Sequence, residues 1–89
     1  MTYHQLGRIA QERRNFLQAG NFYLKSLKIF VNTNDTYCLM TVIRSYARLL
    51  HTATGMEHSQ LQQAWSTCTP HELTEILEKM EVELNNVDS

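Results

Sequence analysis

The chain has 89 residues, with 8 Lys and Arg against 9 Asp and Glu, so its net charge of −1 excludes the strong basic excess of a general nucleic-acid binder. One Pro and three Gly among abundant Leu, Gln, Glu, Arg, Ala and Met favour helix over sheet, and the length allows one small domain. No apolar run approaches the ~20 residues that span a bilayer, and the segment Met1-Thr2-Tyr3-His4-Gln5 lacks a secretory-signal pattern.

The first helix is expected over Tyr3 to Arg13, because Tyr3, Leu6, Gly7 and Ala10 share one face at helical spacing. Gly7 lets a second backbone approach closely. Arg14-Asn15 forms the turn, with Asn15 expected to take left-handed geometry and cap the next helix. The second helix runs from Phe16 to Val31, turning Phe16, Ala19, Phe22, Tyr23, Leu27 and one of Phe30 and Val31 inward. Asn32-Thr33-Asn34-Asp35 breaks it, since short polar side chains compete for backbone hydrogen bonds, and Asp35 is a good N-cap for a third helix over Thr36 to Thr52. Gly55 reads as that helix's C-cap, and Glu57 to Cys68 as a fourth helix with Leu61, Ala64, Trp65 and Cys68 as its apolar stripe. Thr69-Pro70-His71-Glu72 opens a fifth helix, with Thr69 and Glu72 spaced as a capping box and Pro70 at the first helical position. Leu73, Ile76, Leu77, Met80 and Leu84 make its stripe, while Glu72, Glu75, Glu78, Glu81 and Glu83 are expected on a solvated face and Asn85 to Ser89 to fray.

The stretch Tyr3 to Ser26, with Leu6-Gly7 and Ala10 on one helix and Ala19, Tyr23 and Ser26 on the next, resembles a tetratricopeptide repeat (TPR), apart from Arg14 where that pattern usually has Gly. A shift of forty residues lays Tyr3, Leu6, Gly7, Arg8 and Ile9 on Ile43, Tyr46, Ala47, Arg48 and Leu49, repeating large, large, small, Arg, aliphatic. That period exceeds the ~34 residues of the usual repeat, and Y-H-Q-L-G-R-I-A-Q-E followed by Y-L-K-S-L-K-I-F is similar to long-period TPR arrays of bacterial multidomain proteins. The resemblance fades after Thr52. It implies an all-α, TPR-like α-solenoid fragment of about five helices: a hairpin over 1–33, a degenerate second hairpin over 35–68 and a capping helix over 69–86. It also implies that the chain begins part-way into a repeat, as the C-terminal end of a longer array in a signalling or regulatory protein.

Charge is unevenly placed. Arg8, Arg13, Arg14, Lys25, Lys28, Arg44 and Arg48 face only Glu12 and Asp35 before residue 53, giving +5, whereas Lys79 stands against six Glu and Asp88 after it, giving −6. Such a dipole orients partners rather than setting the fold. In a TPR the first helices of successive hairpins line a concave groove, and here that face is His4, Arg8, Gln11 and Glu12 on the first helix and Arg44, Arg48 and His51 on the third. Paired guanidinium groups suit a carboxylate or an acidic peptide. The chaperone-tail clamp of some TPR proteins uses Lys and Asn where this chain has His4 and Arg8, and is not implied.

Catalysis has little support. His71-Glu72-Leu73-Thr74-Glu75 begins like the zinc-protease H-E-x-x-H helix, but Glu75 stands where the second His is required. Cys38 and Cys68 have no C-x-x-C pairing, so neither a disulfide framework nor a zinc knuckle is indicated, and each is expected to pack as a small apolar side chain in a reduced, cytoplasmic setting. Neither a metal nor a cofactor is expected. The seven early cations are spread over several faces beside an acidic tail, which disfavours nucleic acid. The expectation is a non-enzymatic protein-interaction module, the alternative a purely structural cap and dimerisation element. In either case Tyr3, Leu6, Gly7, Ile9 and Ala10 form an edge expected to be covered by a second copy or by an upstream repeat.

Overall fold

A computed structural model describes residues 1–88, with side chains described as far as Asn86. Five helices and no strands make up these residues: α1 (Tyr3–Glu12), α2 (Phe16–Asn32), α3 (Thr36–Thr52), α4 (Gly55–Cys68) and α5 (His71–Asp88). The chain is all-α, and no described helix is long and apolar enough to cross a membrane.

Local chemistry sets the helix ends. Thr2 and Gln5 form a reciprocal capping box at the start of α1, the Gln5 N–H donating to Thr2 Oγ1 at 3.2 Å and the Thr2 N–H to Gln5 Oε1 at 3.0 Å. At its other end the Asn15 N–H reaches back to the Ala10 carbonyl at 2.8 Å and the Arg14 N–H to the Gln11 carbonyl at 2.9 Å, the paired bonds of a Schellman motif. The same motif closes α2, where Asp35 bonds to Phe30 at 3.1 Å and Asn34 to Val31 at 3.4 Å. The Asp35 carboxylate then caps α3 by accepting from the Cys38 N–H at 3.1 Å.

In each motif the residue just past the helix is left-handed, at φ 61° for Arg14 and 55° for Asn34. Asn tolerates this geometry, but Arg has a Cβ that crowds the backbone there. The left-handed residue of the first turn is therefore Arg14 and not Asn15, whose φ is −94° and whose amide instead donates to Gln18 Oε1 at 2.6 Å. Arg14→Gly is expected to raise the unfolding free energy by about 1 kcal/mol, less the weak contact of its guanidinium 5.9 Å over the Phe16 ring. Urea denaturation of the two proteins measures it, and a less stable glycine variant would contradict this account of the turn.

The later links depart from the sequence reading. Ala53, extended at φ −72° and ψ 147°, ends α3, and Gly55 with φ 62° opens α4 rather than closing α3. The Thr69 hydroxyl donates to the Trp65 carbonyl at 2.6 Å, so it closes α4 instead of heading α5. The fifth helix continues through Asn85 to Asp88 where fraying was expected, and Ser89 lies outside the described residues.

Helix α3 touches all four others and contributes six buried residues, Val42, Ile43, Tyr46, Ala47, Leu49 and Leu50. On one side of it, α2 supplies Ala19, Tyr23 and Leu27; on another, α5 supplies the buried Leu77 with Leu73, Ile76, Met80 and Leu84 around it. Helix α4 lies close along α2, where Gly20 faces Leu61. It reaches α3 mainly through large side chains, with the Tyr46 and Trp65 rings 4.9 Å apart and the Tyr46 hydroxyl donating to the Leu61 carbonyl at 2.6 Å. Burial, reinforced by Cys68, holds the Tyr46 phenol far above its usual pKa. Phe30 packs toward the core while Val31 stays exposed, and Phe22 is only half-buried, stacked on Tyr3 at 6.2 Å. Cys38 is half-buried and Cys68, the last residue of α4, is exposed, so the expectation of two packed cysteines fails at Cys68.

Candidate functional site

The α1–α2 hairpin and α3 leave a cleft of about 330 Å³ between them. Arg8, Gln11 and Glu12 of α1 line it, with Tyr23 of α2 and Ser45, Arg48 and Thr52 of α3. Arg8, Gln11 and Arg48 are thus brought together as the sequence suggested. Both guanidinium groups are exposed, and among the described residues neither takes part in an ion pair.

Hydrogen bonding fixes what each lining group can offer. Tyr23 is buried, and its hydroxyl donates to Gln11 Oε1 at 2.8 Å, so the Gln11 amide nitrogen is the group left for a ligand. Burial pushes the Tyr23 phenol up to about 12, with Arg8 opposing and Glu12 reinforcing the shift. Tyr23 is therefore a neutral donor that positions Gln11, and not a base. Ser45 gives its single proton to the Thr41 carbonyl at 3.1 Å, so His4, 2.8 Å away through Nε2, must donate to Ser45 Oγ. Thr52 likewise donates to the Arg48 carbonyl at 2.9 Å. The cleft consequently presents donors from Arg8, Gln11 and Arg48, and acceptors from Glu12, Ser45 and Thr52.

Three of the seven groove candidates lie elsewhere. His4 is half-buried, with its ring 5.6 Å from that of Tyr23, and ties α1 to α3 through Ser45; burial, helped by Arg8, lowers its pKa. Arg44 is exposed on α3 and does not line the cleft. His51 lines a second cleft of about 240 Å³ with Leu50, Ala53, His58, Glu81 and Asn85. Tyr23, Ser45 and Thr52 were not singled out as groove residues from the sequence, although Ser45 and Thr52 flank Arg48 on the same helix face at i−3 and i+4.

The proposed self-association edge is also altered. Gly7 and Ala10 are buried inside the chain, Gly7 directly against the Tyr23 ring, because α2 covers the face on which they lie. Tyr3 is 41% exposed, Leu6 and Ile9 are half-buried, and only these remain to meet another surface.

In the second cleft the His58 Nδ1 lies 2.8 Å from the Leu50 carbonyl, which can only accept, so the proton is on Nδ1 and Nε2 is the free nitrogen. Glu81 is half-buried here rather than on the solvated acidic face. Burial raises its pKa, His58 works against the shift and Glu78 adds to it. A carboxyl with a raised folded pKa binds more protons folded than unfolded, so its effect destabilises the fold progressively as pH rises from its usual 4.5 through the raised value. Glu81→Gln is expected to raise the melting temperature at pH 7 and to leave it unchanged near pH 3, where the wild-type group is already neutral. Equal shifts at both pH values would refute the assignment to ionisation. Among the described residues no group of three or more His, Cys, Asp or Glu is arranged to hold a metal ion. Comparison of the chain with family models, with curated proteins and with solved structures finds no match.

Proposed function

We propose that the chain is a non-enzymatic protein-recognition module of TPR type, and that the cleft between α1 and α3 holds an acidic segment of a partner protein. The observation carrying this reading is the convergence of Arg8 and Arg48, forty residues apart in sequence, on one cleft, with neither engaged in an ion pair among the described residues. Guanidinium groups bind carboxylates in a bidentate fork, and a second donor set from Gln11 suits a peptide carbonyl beside the acidic side chain. Glu12 and Thr52 supply acceptors for the peptide's own N–H groups, a mixture that fits a polypeptide better than a bare anion.

The test is titration of a short capped peptide of consecutive glutamates, monitored by calorimetry at low and at physiological salt. Weak binding that declines with salt is expected. Arg48→Glu should lower the affinity at least tenfold, about 1.4 kcal/mol, within the range for one charge-assisted hydrogen bond. Because Arg48 is exposed, the thermal unfolding curve should stay in place. Unchanged affinity in a folded Arg48→Glu protein would sink the reading.

A further inference from the structure

Helix α2 borders a third concavity, a groove that shares no residue with either cleft. Its floor is Leu24, Leu27 and Val31, and Cys68 and Pro70, where α4 gives way to α5, form the opposite wall. The volume is about 380 Å³. Val31 remains 39% exposed and Cys68 is exposed, so this apolar surface is left wet, at a cost of roughly 25 cal/mol per Å² relative to being covered. We propose that the groove docks an amphipathic α-helix of a partner protein whose apolar stripe is flanked by acidic residues.

The shape of the groove selects a helix. Along α2 it runs from Asn21 to Asn32, about 16 Å or three helical turns. The backbone of α2 is already hydrogen-bonded within its own helix, so an extended segment laid there would find no partners for its amides. A helical occupant arrives with its backbone satisfied and needs only apolar anchors at i, i+3, i+4 and i+7.

The rim selects the charge. Lys25 and Lys28 stand on it one turn apart, and among the described residues neither takes part in an ion pair. Lys25 is steadied with its ammonium 5.5 Å from the Tyr3 ring centroid and 5.9 Å from that of Phe22. Opposite charges meeting over an apolar floor fix orientation and speed encounter. A second copy of this chain is a poorer fit. The acidic outer face of α5 carries Glu75, Glu78 and Glu83 but, among the described side chains, a single exposed large apolar residue, Val82, while Leu73, Ile76, Leu77, Met80 and Leu84 are already packed in the core.

Cys68 reports on occupancy directly. In a Cys38→Ser background, the rate of Cys68 alkylation by a maleimide is measured by mass spectrometry with three designed helical peptides of about four turns. One carries a leucine stripe with glutamate flanks, one the same stripe with lysine flanks, and one glutamate flanks with serine replacing the leucines. The first alone is expected to slow alkylation, by about fivefold or more near saturation. Lys28→Glu should weaken it about tenfold, and the Lys25→Glu, Lys28→Glu double variant should favour the lysine-flanked peptide instead. Arg48→Glu should leave the protection unchanged, which separates this groove from the cleft between α1 and α3. Absence of protection, equal protection by all three peptides, or loss of protection in Arg48→Glu would overturn the proposal. So would a concentration-dependent dimer in sedimentation, without peptide, that Val31→Glu dissociates, since a second copy would then occupy the groove.

Discussion

Trp65→Ala is expected to destabilise the chain by about 3–5 kcal/mol and to loosen α4 and its junction with α5 at physiological temperature. The indole is 2% exposed, lies 4.9 Å from the Tyr46 ring, and donates through Nε1 to Thr74 Oγ1 at 3.0 Å. It thereby joins three helices, α3, α4 and α5, in a region where α4 makes few close backbone approaches to either of the other two. Large-to-small replacement of a buried aromatic loses its transfer free energy and adds the cost of the cavity left behind. A domain of this size has a total stability of roughly 4–13 kcal/mol, so the loss is a large fraction of the whole. Trp65→Phe keeps a ring against Tyr46, and its hydrogen-bond loss falls on the half-exposed Thr74, which water can reach; about 1–2 kcal/mol is expected. Denaturation monitored by circular dichroism separates the two, since Trp65 is the sole tryptophan and fluorescence disappears with it. Amide exchange in Trp65→Ala should rise in 55–86 before it rises in 16–32. Uniform loss of protection would show that the five helices unfold as one unit and that Trp65 is not a local joint.

The helices were legible because apolar periodicity is a strong local signal, and the links were not, because a single side chain there has two competing uses. Thr69 can accept from the next helix or donate back to the last one; both geometries are local, and the 2.6 Å bond to Trp65 decides it only in three dimensions. Gly55 is where a positive φ is needed, as its residue type suggested, but on the far side of the link. Reading the cleft required knowing which flank of Arg48 turns toward α1. At about 100° per residue, Arg44 and His51 lie roughly 40° and 60° to one side of Arg48, while Thr52 and Ser45 lie equally far to the other. Sequence spacing treats the two flanks alike. The packing of α3 against the α1–α2 hairpin selects the Ser45 and Thr52 flank and leaves His51 in the cleft with His58 and Glu81. The forty-residue offset found Arg8 and Arg48 because equivalent positions on α1 and α3 meet across that packing.

That same packing makes the glycine of α1 a determinant of the cleft, and Gly7→Ala the variant that connects stability to recognition. A Cβ at Gly7 would lie 2.6 Å from Tyr23 Cε1 and 2.7 Å from Cδ1, closer than carbon atoms approach. The obstacle is not a flexible tip. Tyr23 is 1% exposed, its hydroxyl is bonded to Gln11 and its ring lies beside His4, so the ring can retreat only by breaking those contacts. Alanine gains about 0.5–1 kcal/mol of helix propensity over glycine, against overpacking that costs about 1–3 kcal/mol, and the net expectation is a loss of about 1–2 kcal/mol. Displacing Tyr23 also releases Gln11, so the affinity for a glutamate peptide should drop several-fold in protein that is still folded. Tyr23→Phe isolates the second effect: the ring stays in place, about 1 kcal/mol of hydrogen bonding is lost, and Gln11 is again unheld. If both variants weaken binding while only Gly7→Ala carries the steric penalty, Tyr23 acts on the ligand through Gln11. Should Gly7→Ala prove as stable as wild type with unaltered affinity, the Tyr23 ring must yield freely, and the close approach of α1 to α2 would not govern the cleft.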